Sequence, residues 1–276
     1  MELYVKGKKV VVTGGSKGIG YAIAEEFLKE GAKVTITGRN QQDLLTAMQN
    51  LSEIGEIEGR VVDSTDEKAV YQLAEKVAGK EKRIDVWVNN VGTNKARNGE
   101  LYTEAEMDYL IATCFKSAVF GSQAAYLHMK ESGGSIINVA SLAARCATTG
   151  RSTIYAAMKS AIVNLSTTLA GEYAAYGIRV NAVLPGYTRT PLVESTFTKE
   201  KLEKLLQNNL LRRMADPKEI AKPVVFLASD AASYITASSL EISGGHNTVL
   251  NPEYSYELHQ KKEIFKIGGK EYVKFM

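Results

Sequence analysis

Short apolar runs rich in valine and isoleucine alternate along this chain with longer segments whose apolar residues recur every three or four positions. Runs of the first kind lie near 9–13, 33–37, 59–62, 84–88, 134–140, 178–184 and 239–242, and read as strands buried on both faces. Segments of the second kind lie near 18–30, 41–52, 66–79, 103–130, 152–175 and 216–228, and read as helices. Alternation of this kind predicts an α/β fold: a doubly wound parallel sheet with helices on both faces and right-handed crossovers. A ligand of such a sheet sits beyond the carboxyl ends of its strands. Residues 1–250 are expected to form one domain, with 251–276 as a C-terminal extension.

The stretch from about Thr188 to Arg213 is less regular. Thr190-Pro191-Leu192 blocks helix continuation, and Lys199 to Leu211 then carries helical spacing through Leu202, Leu205 and Leu206. In the extension, Phe265 and Ile267 alternate with lysine, Gly268-Gly269 suits a tight primed turn, and Val273 and Phe275 alternate again. This reads as a β-hairpin with one apolar side. An isolated hairpin is marginal in water, so it should dock on its own domain or on a neighbouring subunit.

The chemistry begins where the first apolar run ends, in Thr13-Gly14-Gly15-Ser16-Lys17-Gly18-Ile19-Gly20. Strand, glycine turn and helix in succession form the context of a Rossmann-type dinucleotide site. Gly14 permits the sharp turn, Gly18 lets backbone approach a pyrophosphate, and Gly20 lets helix and strand pack closely. The helix N-terminus offers amides and positive dipole to the phosphates, with Ser16, Lys17 and Ile19 as further cofactor contacts. An NAD-specific site would place an acid at the end of the second strand, yet Thr37-Gly38-Arg39-Asn40 has none. Gly38 leaves room and Arg39 offers a planar guanidinium suited to a phosphate, with Lys17 nearby. The preference read from these residues is NADP(H) over NAD(H).

Tyr155 and Lys159 stand four apart in a helical segment and so share one face. A lysine held there favours the tyrosinate and pulls the phenol down from about 10. Tyr155 then becomes a proton donor and acceptor.

With these residues in this order, the chain resembles the short-chain dehydrogenase/reductase family from about Lys8 to Gly245. The family's Thr-Gly-x-x-x-Gly-x-Gly matches Thr13 to Gly20, and its Asn-Asn-Ala-Gly appears as Asn89-Asn90-Val91-Gly92. Its serine falls on Ser141, its Tyr-x-x-x-Lys on Tyr155 and Lys159, and its Pro-Gly on Pro185-Gly186, with Thr188 following. The resemblance implies that Ser141 holds the substrate oxygen near Tyr155 and that Lys159 binds the nicotinamide ribose. Asp63 would cap the adenine, Asn90 and Gly92 would line the cofactor with backbone, and Thr188 would hydrogen-bond the carboxamide, with Pro185 and Gly186 beside it. The cofactor supplies the redox chemistry, while the protein supplies orientation and electrostatics.

Two departures stand out. Counting back from Gln123-Ala124-Ala125 places Cys114 where family members carry the asparagine of a proton relay. That relay uses a backbone carbonyl, which a cysteine also has, so Cys114 stays among the catalytic candidates. Second, Ser141 and Tyr155 are one residue further apart than usual, around Arg145 to Gly150, which should reshape the substrate pocket. The resemblance also implies that the 188–213 region covers the substrate, and that the helices at 103–130 and 152–175 build a homodimer or homotetramer.

Composition removes alternatives. At 276 residues, 45% hydrophobic and 24% charged, the chain has an ordinary soluble make-up and length enough for a large core. A net charge of +3 is too small to argue for nucleic acid or an anionic membrane. The two cysteines have no metal-ligand spacing and suggest a reducing compartment. No run approaches the length of a membrane span, and residues 1–9 lack an apolar core of signal-peptide length. Cytoplasm is the default. The function expected is an NADP(H)-dependent oxidoreductase interconverting a secondary alcohol and a small-molecule ketone, with no metal. A bulky hydrophobic ketone such as a steroid or bile acid leads, with acyl-carrier-bound 3-ketoacids as the main competitor. The other classes are a catalytically weak NADP(H)-binding regulator and an isomerase or dehydratase on the same scaffold.

Overall fold

The computed structural model of the chain describes residues 3–94, 100–146, 153–260, 262–267 and 270–275. In β1 (Lys9–Val12), Val10 and Val12 face one core while Val11 faces the other, and all three are fully buried. The remaining strands of the sheet are β2 (Lys33–Gly38), β3 (Ile57–Val61), β4 (Val86–Asn89), β5 (Gly134–Val139), β6 (Ile178–Pro185) and β7 (Ser239–Ile242). β4 divides as β1 does, with Val86 and Val88 on one side and Trp87 on the other. A parallel sheet covered on both faces leaves no polar side, so its central strands are mostly apolar, and the buried asparagines Asn89 and Asn138 pair with each other through Asn89 Nδ2 and Asn138 Oδ1 at 2.8 Å. The strands run parallel in the order β3-β2-β1-β4-β5-β6-β7, with Val10 beside both Val34 and Val86. The order reverses between β1 and β4, which opens a crevice at their carboxyl ends.

In chain order the helices are α1 (Gly18–Lys29), α2 (Gln41–Leu51), α3 (Glu67–Ala78), α4 (Glu104–Ile111), α5 (Ser117–Met129), α6 (Thr153–Tyr173), α7 (Pro191–Thr196), α8 (Lys199–Leu206), α9 (Pro217–Ala228) and α10 (Tyr254–Gln260). α1, α2 and α9 pack on the Val10/Val12 face, and α3, α5 and α6 on the Val11 face. The fold is therefore the expected Rossmann-type doubly wound sheet. No described helix is long and apolar enough to cross a membrane.

The structure departs from the sequence pattern in three places. The helix expected over 103–130 is split into α4 and α5 by a single π-helical turn, Ala112–Lys116. Pro191 does not merely stop a helix: it opens α7 at its first position, where its missing N–H costs nothing, and Thr190 Oγ1 accepts from Val193 N at 3.3 Å. The helix expected through Leu211 stops at Leu206, because the following backbone turns to other partners, with Leu211 N donating to Gly244 O at 3.1 Å.

Beyond the sheet, α10 has no counterpart in the sequence pattern. β8 (Lys262–Ile267) and β9 (Lys270–Phe275) pair antiparallel, from Lys262 opposite Phe275 to Ile267 opposite Lys270. The turn at Gly268-Gly269 lies outside the described residues, as does Ala147–Gly150 of the expected pocket insertion.

Candidate functional site

The glycine turn takes its shape from backbone that only glycine adopts easily. Gly14 and Gly18 both have positive φ, +65° and +57°. Gly20 answers a different need: a Cβ there would lie 2.3 Å from Gly14 O and 2.5 Å from Asn90 Nδ2. Asn90 braces this turn from β4, donating from Nδ2 to Thr13 O and Gly14 O at 3.1 Å each. Its backbone N donates to Thr13 Oγ1 at 3.0 Å, and that hydroxyl donates to Val88 O at 3.2 Å. The side chain of Asn90 is therefore occupied in holding the turn, a role its sequence position did not disclose.

A cleft of about 550 Å³ runs from this turn across the point where the strand order reverses. Gly14, Ser16, Lys17, Gly18 and Ile19 form one wall, and Arg39 and Asp63 stand at that end. Asn90, Gly92, Ser141, Tyr155 and Lys159 line the other end, and Pro185, Gly186 and Thr188 close it from β6. Of the residues singled out in the sequence, Gly20 and Cys114 do not line the cleft and stand behind its wall.

At the Arg39 end the charges differ from the sequence reading. Arg39 is exposed and has no ion pair among the described residues, but Lys17 Nζ lies 2.7 Å from Asp43 Oδ2. Asp43 sits in the first turn of α2, whose cap is Asn40 accepting from Asp43 N at 2.9 Å. An acid three residues past a cap asparagine is a readable first-turn signal, and it places a carboxylate beside the lysine assigned to a phosphate. Asp63 Oδ1 accepts from Thr65 N and Thr65 Oγ1 at 2.9 and 2.8 Å, which holds the carboxylate at the cleft edge.

At the other end Ser141 leaves β5, and its Oγ accepts from Ala143 N at 3.1 Å. Ser141 and the phenol of Tyr155 line the same end of the cleft, one face of α6 carrying both Tyr155 and Lys159 to this point. Lys159 is almost fully buried, donates to Val139 O at 2.7 Å, and has its Nζ 5.8 Å from the centre of the Tyr155 ring. Burial pushes the Tyr155 phenol up to about 12, outweighing the Ser141 hydrogen bond that pulls it down, and Cys114 adds a smaller push upward. The same desolvation lowers Lys159, opposed by Cys114. In the protein by itself burial therefore dominates, and Tyr155 carries its proton at neutral pH.

Cys114 lies in the π-helical turn. Its Sγ donates to Thr93 O at 3.2 Å and accepts from Thr93 N at 3.5 Å, so it fastens the chain that leaves β4. A Cβ on Gly92 would lie 3.0 Å from Lys159 Nζ and 4.0 Å from Cys114 Sγ, which puts the thiol directly behind the glycine that lines the cleft. The widened turn aims its neighbour Thr113 the other way. Thr113 lines the cleft, is 5% exposed, and its hydroxyl has no hydrogen-bond partner among the described residues. No periodicity marks a π turn, so Thr113 was invisible in the sequence.

Over the cleft, Thr190, Leu192 and Val193 come from α7 and its cap. The two ends of this 189–214 segment are tied together, since Arg189 N donates to Ala215 O and Ala215 N to Tyr187 O, both at 2.9 Å. A cleft with a glycine cradle and helix N-terminus at one end, a proton donor at the other, and a buried hydroxyl without a partner among the described residues in its wall fits a nicotinamide dinucleotide.

Comparison with known proteins adds to this geometry. A family model described as enoyl-(acyl carrier protein) reductase matches residues 14–247. A 3-oxoacyl-[acyl-carrier-protein] reductase of Chlamydia pneumoniae is 36% identical over 247 residues, covering 89% of this chain and 99% of that protein. The crystal structure of L-sorbose reductase from Gluconobacter frateurii with NADPH and L-sorbose superposes with a TM-score of 0.83 at 30% identity, covering 91% of this chain and all of the other. A 7α-hydroxysteroid dehydrogenase complexed with NADH and 7-oxo glycochenodeoxycholic acid superposes with a TM-score of 0.84 at 30% identity, covering 91% of this chain and 98% of the other.

Proposed function

The chain belongs to the short-chain dehydrogenase/reductase family of oxidoreductases, and from that membership we propose that it interconverts a secondary alcohol and a ketone with NADP(H). The observation that carries the reading is the convergence of Ser141, Tyr155 and Lys159 on one end of the cleft, with Lys159 buried, held to Val139 O and its Nζ 5.8 Å from the centre of the Tyr155 ring. The nicotinamide supplies the hydride. Ser141 holds the carbonyl oxygen, and Tyr155 gives that oxygen its proton as negative charge develops there. The tyrosinate left behind is stabilised by the Lys159 ammonium on the same helix face. Lys159 also meets the ribose hydroxyls, and Gly14, Ser16, Gly18 and Ile19 cradle the pyrophosphate at the start of α1. Cys114 holds the Thr93 backbone and acts through position, not through proton transfer.

Arg39 supports NADP(H), since an exposed guanidinium suits the 2′-phosphate, and Lys17 joins it once a phosphate displaces Asp43. Leu192 and Val193 over the cleft support an apolar ketone, and the steroid-binding neighbour supports a bile-acid-like skeleton. The 36% identity to an acyl-carrier-protein reductase favours a second substrate reading, a 3-oxoacyl thioester. Cytoplasmic location and a homodimer or homotetramer complete the proposal.

The test is NADPH and NADH oxidation against 7-oxo glycochenodeoxycholic acid and acetoacetyl thioesters. Tyr155→Phe should lose about 10²–10⁴ of the rate. Arg39→Ala should cost about 10–100-fold with NADPH and leave NADH unchanged. Full activity in Tyr155→Phe, or no NADPH oxidation with any ketone, overturns the reading.

A further inference from the structure

Residues after 247 lie outside the span matched by the family, and the chemistry above makes no use of them. Yet α10 reaches the 189–214 segment through Tyr256. Its hydroxyl donates to Leu210 O at 2.5 Å, and the Arg212 guanidinium lies 3.7 Å over the centre of its ring. Arg212 is held at φ +48°, the left-handed region that a residue with a Cβ occupies only when its surroundings secure it.

The backbone gripped here is the return leg of the 189–214 segment, whose outgoing leg covers the cleft. Contacts run without a gap from one leg to the other. Asn209 Oδ1 faces His246 Nδ1 at 2.5 Å, and the His246 ring meets the Tyr187 ring edge-on at 5.3 Å. Tyr187 meets Phe197 edge-on at 5.9 Å, and Phe197 N closes α7 on Val193 O at 3.2 Å. Val193 and its neighbour Leu192 line the cleft. The chain enters the segment beside Thr188, and Thr190, the cap of α7, sits against Gly18 of the glycine turn.

We propose that the C-terminal extension, acting through Tyr256, is a positioning element that holds the 189–214 segment over the cleft, so that Tyr256 sets how tightly a ketone is retained without touching it. The consequence for the ketone rests on the reductase reading. The latch itself rests only on the contacts above.

Full-length Tyr256→Ala and Tyr256→Phe decide the matter. Hydrogen exchange of the 191–213 amides, measured with NADPH and no ketone, should rise about tenfold in Tyr256→Ala, the worth of one hydrogen bond and one cation–π contact. Tyr256→Phe keeps the ring and should fall between. With 7-oxo glycochenodeoxycholic acid as probe, KM should rise about fivefold or more, while kcat and the affinity for NADPH stay within about twofold. A merely structural role would move all three together with the melting temperature. Exchange over 191–213 that is unchanged in Tyr256→Ala, or raised equally across the whole chain, overturns the proposal. If the wild type turns over no ketone, the reductase reading fails, and the exchange result still decides the latch by itself.

Discussion

Gly20→Ala makes the sharpest demand on the site. The new methyl would lie 2.3 Å from Gly14 O and 2.5 Å from Asn90 Nδ2. Neither neighbour is free to retreat. Gly14 O accepts from that same amide, which also holds Thr13 O, and Asn90 N is tied to Thr13 Oγ1. Relief requires α1 to swing away from the turn or Asn90 to give up its bonds. Overpacking costs about 1–3 kcal/mol and one lost buried hydrogen bond adds about 1 kcal/mol, roughly 2–4 kcal/mol together. In a domain of this size that lowers the melting temperature by roughly 4–16 °C. The displaced turn is the one proposed to cradle the pyrophosphate, so NADPH affinity should fall about tenfold as well. Gly171→Ala is the matched control, because it also sits in a helix, α6, but its added Cβ meets nothing within 4 Å. Alanine there should stabilise by about 0.5–1 kcal/mol. Scanning fluorimetry and NADPH titration on the pair give opposite signs if the reasoning holds. Wild-type melting and wild-type NADPH binding in Gly20→Ala would refute it, as would an equal fall in both variants.

Three further outcomes follow from the site and its surroundings. Thr113→Val removes the orphaned hydroxyl at nearly constant volume, and titration should find NADPH bound about fivefold more weakly with no loss of melting temperature; unchanged affinity would mean that the hydroxyl meets no ligand. Glu219 is held down to about 2, first by its hydrogen bond with Arg213 and then by the Asp216 backbone. Its folded value lies below the unfolded one of about 4.3, so its stabilisation is complete above that value and disappears as pH falls toward 2. The pair is largely exposed, so Glu219→Gln should cost no more than about 1 kcal/mol at pH 7, and a melting gap that survives at pH 2 contradicts the assignment. Cys114→Ser keeps a donor and acceptor for Thr93 and leaves the backbone carbonyl in place, so kcat/KM should stay within about threefold; a hundredfold loss would make the thiol itself a reacting group.

Much of this protein is legible in the chain because the forces that write it are short-range. A strand buried on both faces reads as a near-continuous apolar run, as Val10, Val11 and Val12 do, so the strands of the parallel sheet stand out. Gly14 and Gly18 sit where the backbone needs positive φ, and the Tyr155–Lys159 spacing follows from helix geometry alone. What local pattern could not decide depends on groups distant in sequence. Thr113 faces the cleft because a π turn widens the helix by one residue, and Asp43 neutralises Lys17 because α2 folds back on the glycine turn. Asn90 became a brace only when β4 paired beside β1. The same holds for the proton on Tyr155: periodicity placed the phenol beside a lysine, but its acidity answers to the solvent excluded around it, and only packing excludes solvent. Spacing along the chain determined which residues meet at this site, while the tertiary structure decided which charges, protons and hydrogen bonds each of them keeps.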